Sequence, residues 1–460
     1  MSSPLYSEDE LAGKLVWVIG MGRSGIAAAR LLKELGADVL VTEKKRAEEV
    51  QPYVAQLDEL EIDYETGGHR GGDGRMPDFA VVSPGVPTSA PILEWLVDHG
   101  RQVVSEVELA SWFYYGTVIG VTGSNGKTTT VSWITHILRE AGLYAVSTGN
   151  IGYPFCDMVL DHVKASHAVV EVSSYQLESI LSFKPHVSLL TNLSPDHLER
   201  HGSMEAYARA KANIFKNQDE GDFAVLPSTN GLIAMVSTTI RPQKLYVRLD
   251  RCPDLGAGFE EGNLVMNIGA GREVLLSAGE LPLPGLHNIA NALMAAITCR
   301  LLMVPTEAIV RGLRSFPGVP HRLEKVKMNG RVWVNDSKST NIDSLRVALE
   351  SVDESEDVWL IAGGQDKGAP YGPLRELVGQ KVRKLLLIGE TAPMLMKAWG
   401  ETVSAEVCGT LDKAVERADK EAPHGTTILL SPACASFDQF KNFEHRGEVF
   451  KQLIGAGVKV

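Results

Sequence analysis

Gly120-Val-Thr-Gly-Ser-Asn-Gly-Lys-Thr-Thr-Thr130 is the stretch on which the reading of the fold turns. An apolar run, Thr117-Val-Ile-Gly-Val121, leads into it, and a helical pattern, Val131-Ser-Trp-Ile-Thr-His-Ile-Leu138, leads out. A strand, a glycine-rich turn and a helix start in that order aim backbone N–H groups at one point, which suits phosphate. Lys127 is then placed for the β- and γ-phosphates and the Thr128 hydroxyl for Mg²⁺, with Gly123, Ser124, Asn125, Gly126 and Thr129 completing the cradle. The usual phosphate loop has four residues between its first glycine and Gly-Lys. Here Val121 holds the expected first position and Gly120 lies one residue too far away, so the pattern is a GxxGxxGKT relative of that loop. The competing reading is a flexible glycine turn ahead of a lysine.

Around this loop the sequence alternates strand and helix. Apolar runs at Leu143 to Ser147, Ala168 to Val172, Val187 to Leu190 and Phe223 to Leu226 predict a parallel sheet covered by helices on both faces. Glu171 ends one of these runs. A carboxylate inside a near-continuous apolar strand is costly unless paired or metal-bound, so Glu171 is a candidate for Mg²⁺ or the γ-phosphate side. Asn192-Leu-Ser-Pro-Asp-His197 ends another, beyond a strand end where ligands collect; a structural histidine is the alternative for His197. Lys211, in the helical stretch Met204 to Phe215, reads by spacing alone as a solvated lysine. Asn288 and Asn291 sit in the first turns of an alanine-rich helix after Gly285, where they serve either as N-caps or as contacts to a base or ribose. Residues 229 to 282 show short strands and turns without a clear pattern.

The N-terminal part carries a second glycine turn. Residues 14 to 19, KLVWVI, predict a buried strand; Gly20-Met-Gly-Arg-Ser-Gly25 follows, then a helix, then a strand ending at Glu43. This is GxGxxG in a βαβ setting with an acidic residue near the place of a ribose contact. Taken alone it suggests a nicotinamide cofactor, but no hydride-transfer site accompanies it. The glycines require no more than a diphosphate over a helix N-terminus. Ser83 to Gly85 fall at the carboxyl edge of the same sheet. Phe316-Pro-Gly-Val-Pro-His-Arg-Leu-Glu324 reads as a linker, and a third α/β unit follows. Its strands end in Asp336-Ser-Lys-Ser-Thr-Asn341, Gly363-Gly-Gln-Asp-Lys-Gly368 and the run after Ser431, so Asp336, Lys338, Lys367 and Ser436 gather at one sheet edge.

Composition narrows the function classes. The chain has 460 residues, 44% hydrophobic and 22% charged, enough for several buried cores. A formal net charge of −12 argues against nucleic acid and anionic membrane as partners. MSSPLYSEDELAG has neither a basic nor an apolar leader region, and no apolar run reaches about 18 residues. The five cysteines, Cys156, Cys252, Cys299, Cys408 and Cys434, lack CxxC spacing, which fits a reducing cytoplasm and no structural zinc.

The order GVTGSNGKTT, EVSSYQLE, NLSPDHLERH, YARAKANIF, GLHNIANAL, GVPHRLE, NDSKSTN, GGQDKG and SPACASFDQFKNFEHRGE resembles the Mur ligase family across nearly the whole chain. The resemblance implies three α/β domains. These are a Rossmann-like UDP-substrate domain at 1–105, a central ATP-binding domain with a parallel sheet at 106–318, and a Rossmann-like amino-acid-binding domain at 319–460. It implies an ATP- and Mg²⁺-dependent amide ligase acting through an acyl phosphate. The last motif and the GMGRSG domain are similar to the branch that adds D-glutamate to UDP-N-acetylmuramoyl-L-alanine.

On the same basis Gly22, Arg23, Ser24, Glu43, Lys44, Lys45 and Ser83 hold the UDP part, with no nicotinamide. Asn150, Ser173 and His197 lie at the muramoyl substrate or a second metal. Thr128 and Glu171 manage Mg²⁺, and Lys211 matches the family's carbamylated lysine, an anion able to hold a metal. Asn288, Asn291, His321 and Arg322 lie around adenine and the γ-phosphate, and Asp336 near the ribose. Lys367, Ser436, Asn442 and Phe443 form the D-glutamate pocket. A hinge near Gly318, closure of the domains over the acyl phosphate, a monomer and a cytoplasmic location complete the expectation. A sister ligase for another amino acid and a NAD(P)-dependent dehydrogenase are the alternatives.

Overall fold

The computed structural model describes residues 6–70, 74–195, 198–228, 231–269, 271–352, 357–366, 368 and 370–455. His197 and Lys367 lie outside the described residues. The chain divides into two compact units, Met1–Phe316 and Pro317–Val460. The first holds two sheets and the second holds one.

The N-terminal sheet has five strands in the spatial order Asp63–Glu65, Asp38–Thr42, Leu15–Ile19, Phe79–Val82 and Gln102–Ser105, all parallel. The order of strands reverses between Leu15–Ile19 and Phe79–Val82. The crevice beyond their carboxyl ends is therefore where an open α/β sheet takes a ligand. Gly20 and Ser83 stand there. Phe-Ala-Val-Val is buried throughout because helices cover both faces of a parallel sheet.

The central sheet has nine strands. The first six from one edge pair parallel: Ala145–Gly149, His167–Glu171, Thr117–Thr122, Val187–Leu190, Phe223–Pro227 and Gln243–Arg248, in that spatial order. Gly256–Glu260 pairs parallel with Gln243–Arg248, and Asn263–Asn267 and Arg272–Ser277 then run antiparallel at the edge. Residues 229 to 282, without a clear pattern in sequence, thus supply a helix, Gly231–Thr239, and the sheet's far edge. Register sets Val121 between Leu189 and Glu171, so the glycine loop, the Glu171 carboxylate and the segment after Leu190 leave the sheet side by side.

The first two sheets are joined by the helix Glu106–Trp112. Glu108 is fully buried, and its carboxylate accepts from the Trp112 indole N–H and from the backbone N–H groups of Leu181, Ser182 and Phe183. Glu106 accepts from the Cys156 N–H at 2.6 Å, and burial pushes its carboxyl up to about 7.

The second unit has six strands in the order Glu324–Met328, Arg331–Asn335, Thr427–Leu430, Val358–Gly363, Val382–Ile388 and Ser404–Gly409. The first pair is antiparallel and the rest are parallel. The stretch read as a plain linker is more ordered than its prolines suggest. Val319 and Arg322 form an isolated bridge, and His321 and Leu323 are left-handed, with φ of 60° and 49°.

Candidate active site

The central glycine turn is held from outside. The Thr191 hydroxyl and the Asn192 side-chain amide both donate to the Asn125 carbonyl, at 2.6 and 3.0 Å. The Asn192 side-chain oxygen accepts the Asn125 N–H at 2.9 Å, and the Asn192 carbonyl accepts the Ser124 N–H at 3.0 Å. Two backbone donors at the front of the loop are thereby engaged within the fold. The first intrahelical bond of Lys127–Glu140 is Thr130 N–H to the Gly126 carbonyl. This helix start carries the positive end of the helix dipole, which suits an anion. Gly126 needs its missing side chain: its φ is 82°, and a Cβ there would meet the Asn291 side-chain oxygen at 2.5 Å.

Charge collects at this turn. Lys127 Nζ donates to the carbonyls of Gly123 and Ser124 at 2.9 and 2.8 Å. Lys211 Nζ donates to the same Gly123 carbonyl at 2.9 Å and lies 4.5 Å from the centre of the Tyr207 ring. Lys211 is 2% exposed, so the solvated lysine suggested by spacing is corrected: the helix Met204–Ala212 turns Tyr207 and Lys211, one turn apart, inward.

Glu171 ends its strand 3% exposed. One carboxylate oxygen accepts from the Thr128 hydroxyl at 2.7 Å and the other from the Asn150 amide at 3.0 Å. Among the described residues no group of three or more His, Cys, Asp and Glu side chains is placed to hold a metal ion. Hydroxyl and carboxylate oxygens beside a phosphate cradle nevertheless fit Mg²⁺, which takes few protein ligands and completes its shell with phosphate and water. Ser173 caps the short helix Ser174–Glu178, accepting the Gln176 N–H.

Asn288 and Asn291 are not N-caps. Gly285 occupies that position, and the Asn288 amide donates to the Pro284 carbonyl at 2.8 Å. Asn291 accepts from the Thr130 hydroxyl at 3.2 Å and packs over Gly126, so this helix start abuts the phosphate loop.

The N-terminal turn is built differently. Gly22 caps the helix Arg23–Glu34, and Ser24 lies in its first turn. The Ser83 hydroxyl donates to the Gly20 carbonyl at 2.8 Å, and a Cβ on Gly25 would strike that same carbonyl oxygen. Glu43, expected near a ribose, has its two oxygens on the N–H groups of Met21 and Lys45 at 2.7 and 2.9 Å. Lys44 and Lys45 are exposed, and Arg23 reaches the Gly152 carbonyl at 3.4 Å.

In the second unit, Asp336 is buried and accepts from the Ser431 hydroxyl at 2.8 Å and the Leu323 N–H at 3.3 Å. Burial pushes its carboxyl up to about 7. The Asn335 amide lies 3.0 Å from His321 Nδ1, and His321 Nε2 lies 3.3 Å from Glu448; burial lowers the histidine's proton affinity. Arg322 bridges back to Val319. Ser436 is buried, Asn442 caps the helix Phe443–Leu453, and the Phe443 ring lies 5.6 Å from Lys338 Nζ.

Sequence reading passed over Arg446. It is fully buried, and its guanidinium donates to the Ser337 hydroxyl and carbonyl and to the carbonyls of Cys434 and Ala435. It thereby fixes the loops carrying Asp336 and Ser436 within one unit. A lone arginine on a helix gives no signal of this in sequence, and neither does Tyr207, whose hydroxyl accepts from Ser124 at 3.2 Å.

Three family models match in succession: the Mur ligase MurD-like N-terminal domain over 14–105, the Mur ligase middle domain over 121–299 and the Mur ligase glutamate ligase domain over 321–434. The chain belongs to the Mur ligase family. Within it, relatives similar to this chain over nearly its full length bear one name, UDP-N-acetylmuramoylalanine–D-glutamate ligase. That of Salinibacter ruber is 40% identical over 460 residues, covering 97% of this chain and 98% of its own. That of Myxococcus xanthus is 40% identical over 452 residues, covering 97% and 99%. Solved structures share the fold at lower identity. MurF from Acinetobacter baumannii is 19% identical with a TM-score of 0.64, covering 95% of this chain and 93% of its own. The UDP-N-acetylmuramate-alanine ligase MurC from Thermotoga maritima is 17% identical with a TM-score of 0.61, covering 95% and 98%.

Proposed function

We propose that this chain joins D-glutamate to UDP-N-acetylmuramoyl-L-alanine in an ATP-driven step of peptidoglycan precursor synthesis. Relatives of that name at 40% identity over nearly the full length support the substrates. The observation that carries the chemistry is the convergence of Lys127 and Lys211 on the Gly123 carbonyl beside the Thr128–Glu171 pair.

A carboxylate is a poor acyl donor. Transfer of the γ-phosphoryl group of ATP to the alanyl carboxylate gives an acyl phosphate and ADP. The amine of D-glutamate attacks the acyl carbon, and the tetrahedral adduct expels phosphate, leaving the amide. Positioning and neutralisation of phosphate charge are the main work of the protein. Lys127, now on backbone carbonyls, turns to the phosphates, and the N–H groups of Gly126 to Thr129 receive their oxygens. Mg²⁺ supplies Lewis acidity and charge neutralisation when bound. Thr128 and Glu171 would hold it, and His197 and carbamylated Lys211 would hold a second ion. Carbamylation needs an uncharged amine.

Asn288, Asn291, His321, Arg322 and Asp336 take the adenosine and phosphates. Gly22, Arg23, Ser24, Glu43, Lys44, Lys45 and Ser83 take the UDP group, Asn150 and Ser173 the muramoyl end, and Lys367, Ser436, Asn442 and Phe443 D-glutamate. Domain limits at 1–105, 106–318 and 319–460, a monomer and a cytoplasmic location belong to the same reading. A net charge of −12 and the absence, among the described residues, of any helix long and apolar enough to cross a membrane are in keeping with it.

Phosphate release from ATP and Mg²⁺ with UDP-N-acetylmuramoyl-L-alanine, with D-glutamate, L-glutamate or other amino acids in parallel, tests the reading. Release with D-glutamate alone is expected. Release with another amino acid instead moves the chain to a sister ligase. No release with any of them, together with tight NAD(H) binding, overturns the proposal.

A further inference from the structure

Between the two glycine turns runs a row of three rings with a cation at each end, drawn from three short helical segments of the first unit. The Arg200 guanidinium lies 3.8 Å from the centre of the Tyr175 ring. Tyr175 stacks on His201 at 5.6 Å with the planes 14° apart, and His201 tilts against Tyr207 at 5.1 Å. Tyr207 in turn faces Lys211 Nζ at 4.5 Å. Guanidinium and ammonium groups over ring faces are attractive, and more so when water is excluded.

Both ends of the row are bonded to a turn. Arg200 Nη1 donates to the Pro84 carbonyl at 3.5 Å, next to Ser83, whose hydroxyl holds the Gly20 carbonyl. At the other end Tyr207 accepts from the Ser124 hydroxyl, and Lys211 sits on the Gly123 carbonyl. The middle is fixed as well. Glu178 pairs one carboxylate oxygen with Arg200 at 3.0 Å and the other with His201 Nδ1 at 3.4 Å, and Ser174 Oγ lies 3.1 Å from His201 Nε2. A small cavity bounded by Ser83, Pro84, Tyr175, Gln176 and Arg200 lies between the row's outer end and the first sheet, and two hydrogen bonds cross it, Arg200 to the Pro84 carbonyl and the Ser105 N–H to the Ser179 carbonyl at 2.8 Å. Packed rings thus connect Pro84 to the phosphate loop.

We propose that Arg200, Tyr175 and His201 are positioning residues that couple the two turns, so that a UDP-sugar ligand at the first and a nucleotide at the second each tighten the binding of the other. The identity of the two ligands rests on the ligase reading; the row does not.

The test is a pair of calorimetric titrations on the full chain: Mg²⁺ with a non-hydrolysable ATP analogue, with and without UDP-N-acetylmuramoyl-L-alanine, and the reverse order. In the wild type the second ligand is expected to bind about fivefold tighter or more, by the same factor in either order. In His201→Ala the factor falls close to one while each ligand alone keeps its affinity within about twofold. His201→Phe, which restores a ring, recovers the factor. Tyr175→Leu serves in place of His201→Ala if the latter does not fold. A wild type without coupling, a factor unchanged in His201→Ala, or equal loss of each separate affinity overturns the proposal. Wild-type turnover with D-glutamate, measured alongside, reports on the ligase reading separately.

Discussion

The two glycine turns of the first unit share one grammar and differ in charge. Each follows a buried parallel strand and starts a helix, Arg23–Glu34 in one and Lys127–Glu140 in the other. In the first, the glycines serve close packing: Gly25 leaves room for the Gly20 carbonyl, and a carboxylate, Glu43, takes the Met21 N–H. In the second, two ammonium groups meet on one carbonyl oxygen. Glycine spacing reports where backbone comes close to backbone or ligand. The charges brought in from other elements decide which ligand the turn suits. A turn that already holds a carboxylate suits a diphosphate carried on a larger ligand, and a turn that carries the Lys127 ammonium suits a triphosphate whose charge must be neutralised as it reacts.

The comparison is broken most sharply at Lys127. Lys127→Ala is expected to lower kcat by about 1000-fold or more, comparable to loss of a major transition-state charge contact. Near-normal turnover would show that the second turn is not a phosphate clamp. Lys211→Ala should cost about 100-fold, with partial recovery when a short carboxylate such as acetate is added; full activity without it would remove the carbamate from the account. Glycine replacements then separate the turns. Gly126→Ala places a side chain at positive φ against Asn291, costing about 1–3 kcal/mol, read as a lower Tm and a raised KM for ATP. Gly25→Ala should spare the KM for ATP and raise that for the UDP substrate; the opposite pattern would exchange the assignments. The smallest effect is expected at Glu43. Glu43→Gln keeps one acceptor and loses the charge, so the KM for the UDP substrate should rise about threefold through a looser turn. A fall instead would mean that charge outweighs shape there.

Much of this was legible in residues 117–130, 167–171 and 187–190, because parallel strands buried on both faces read as unbroken apolar runs and their carboxyl ends as sudden polarity. The far edge of the central sheet was not. Gly256–Glu260, Asn263–Asn267 and Arg272–Ser277 are joined to one another by antiparallel pairing and mix buried with partly exposed positions, so glycine and charge dilute their pattern. Asn288 looked like a cap because Asn favours caps, yet Gly285 already filled that place and freed both asparagines for packing. The burial of Lys211 depends on which face of its helix meets the loop, a fact of tertiary packing. Thr191 and Asn192, which secure the front of the loop, were visible only as the polar end of a strand.

Arg446 bears on how the second unit comes to be. Its cation is desolvated, with its pKa lowered to about 10, and it donates to neutral oxygens of Ser337, Cys434 and Ala435. These lie about a hundred residues apart along the chain. A partly assembled unit that buried this side chain before both segments arrived would strand a charge in apolar surroundings. The last helix therefore has no comfortable resting place short of the finished structure, and the unit should fold and unfold as one cooperative body.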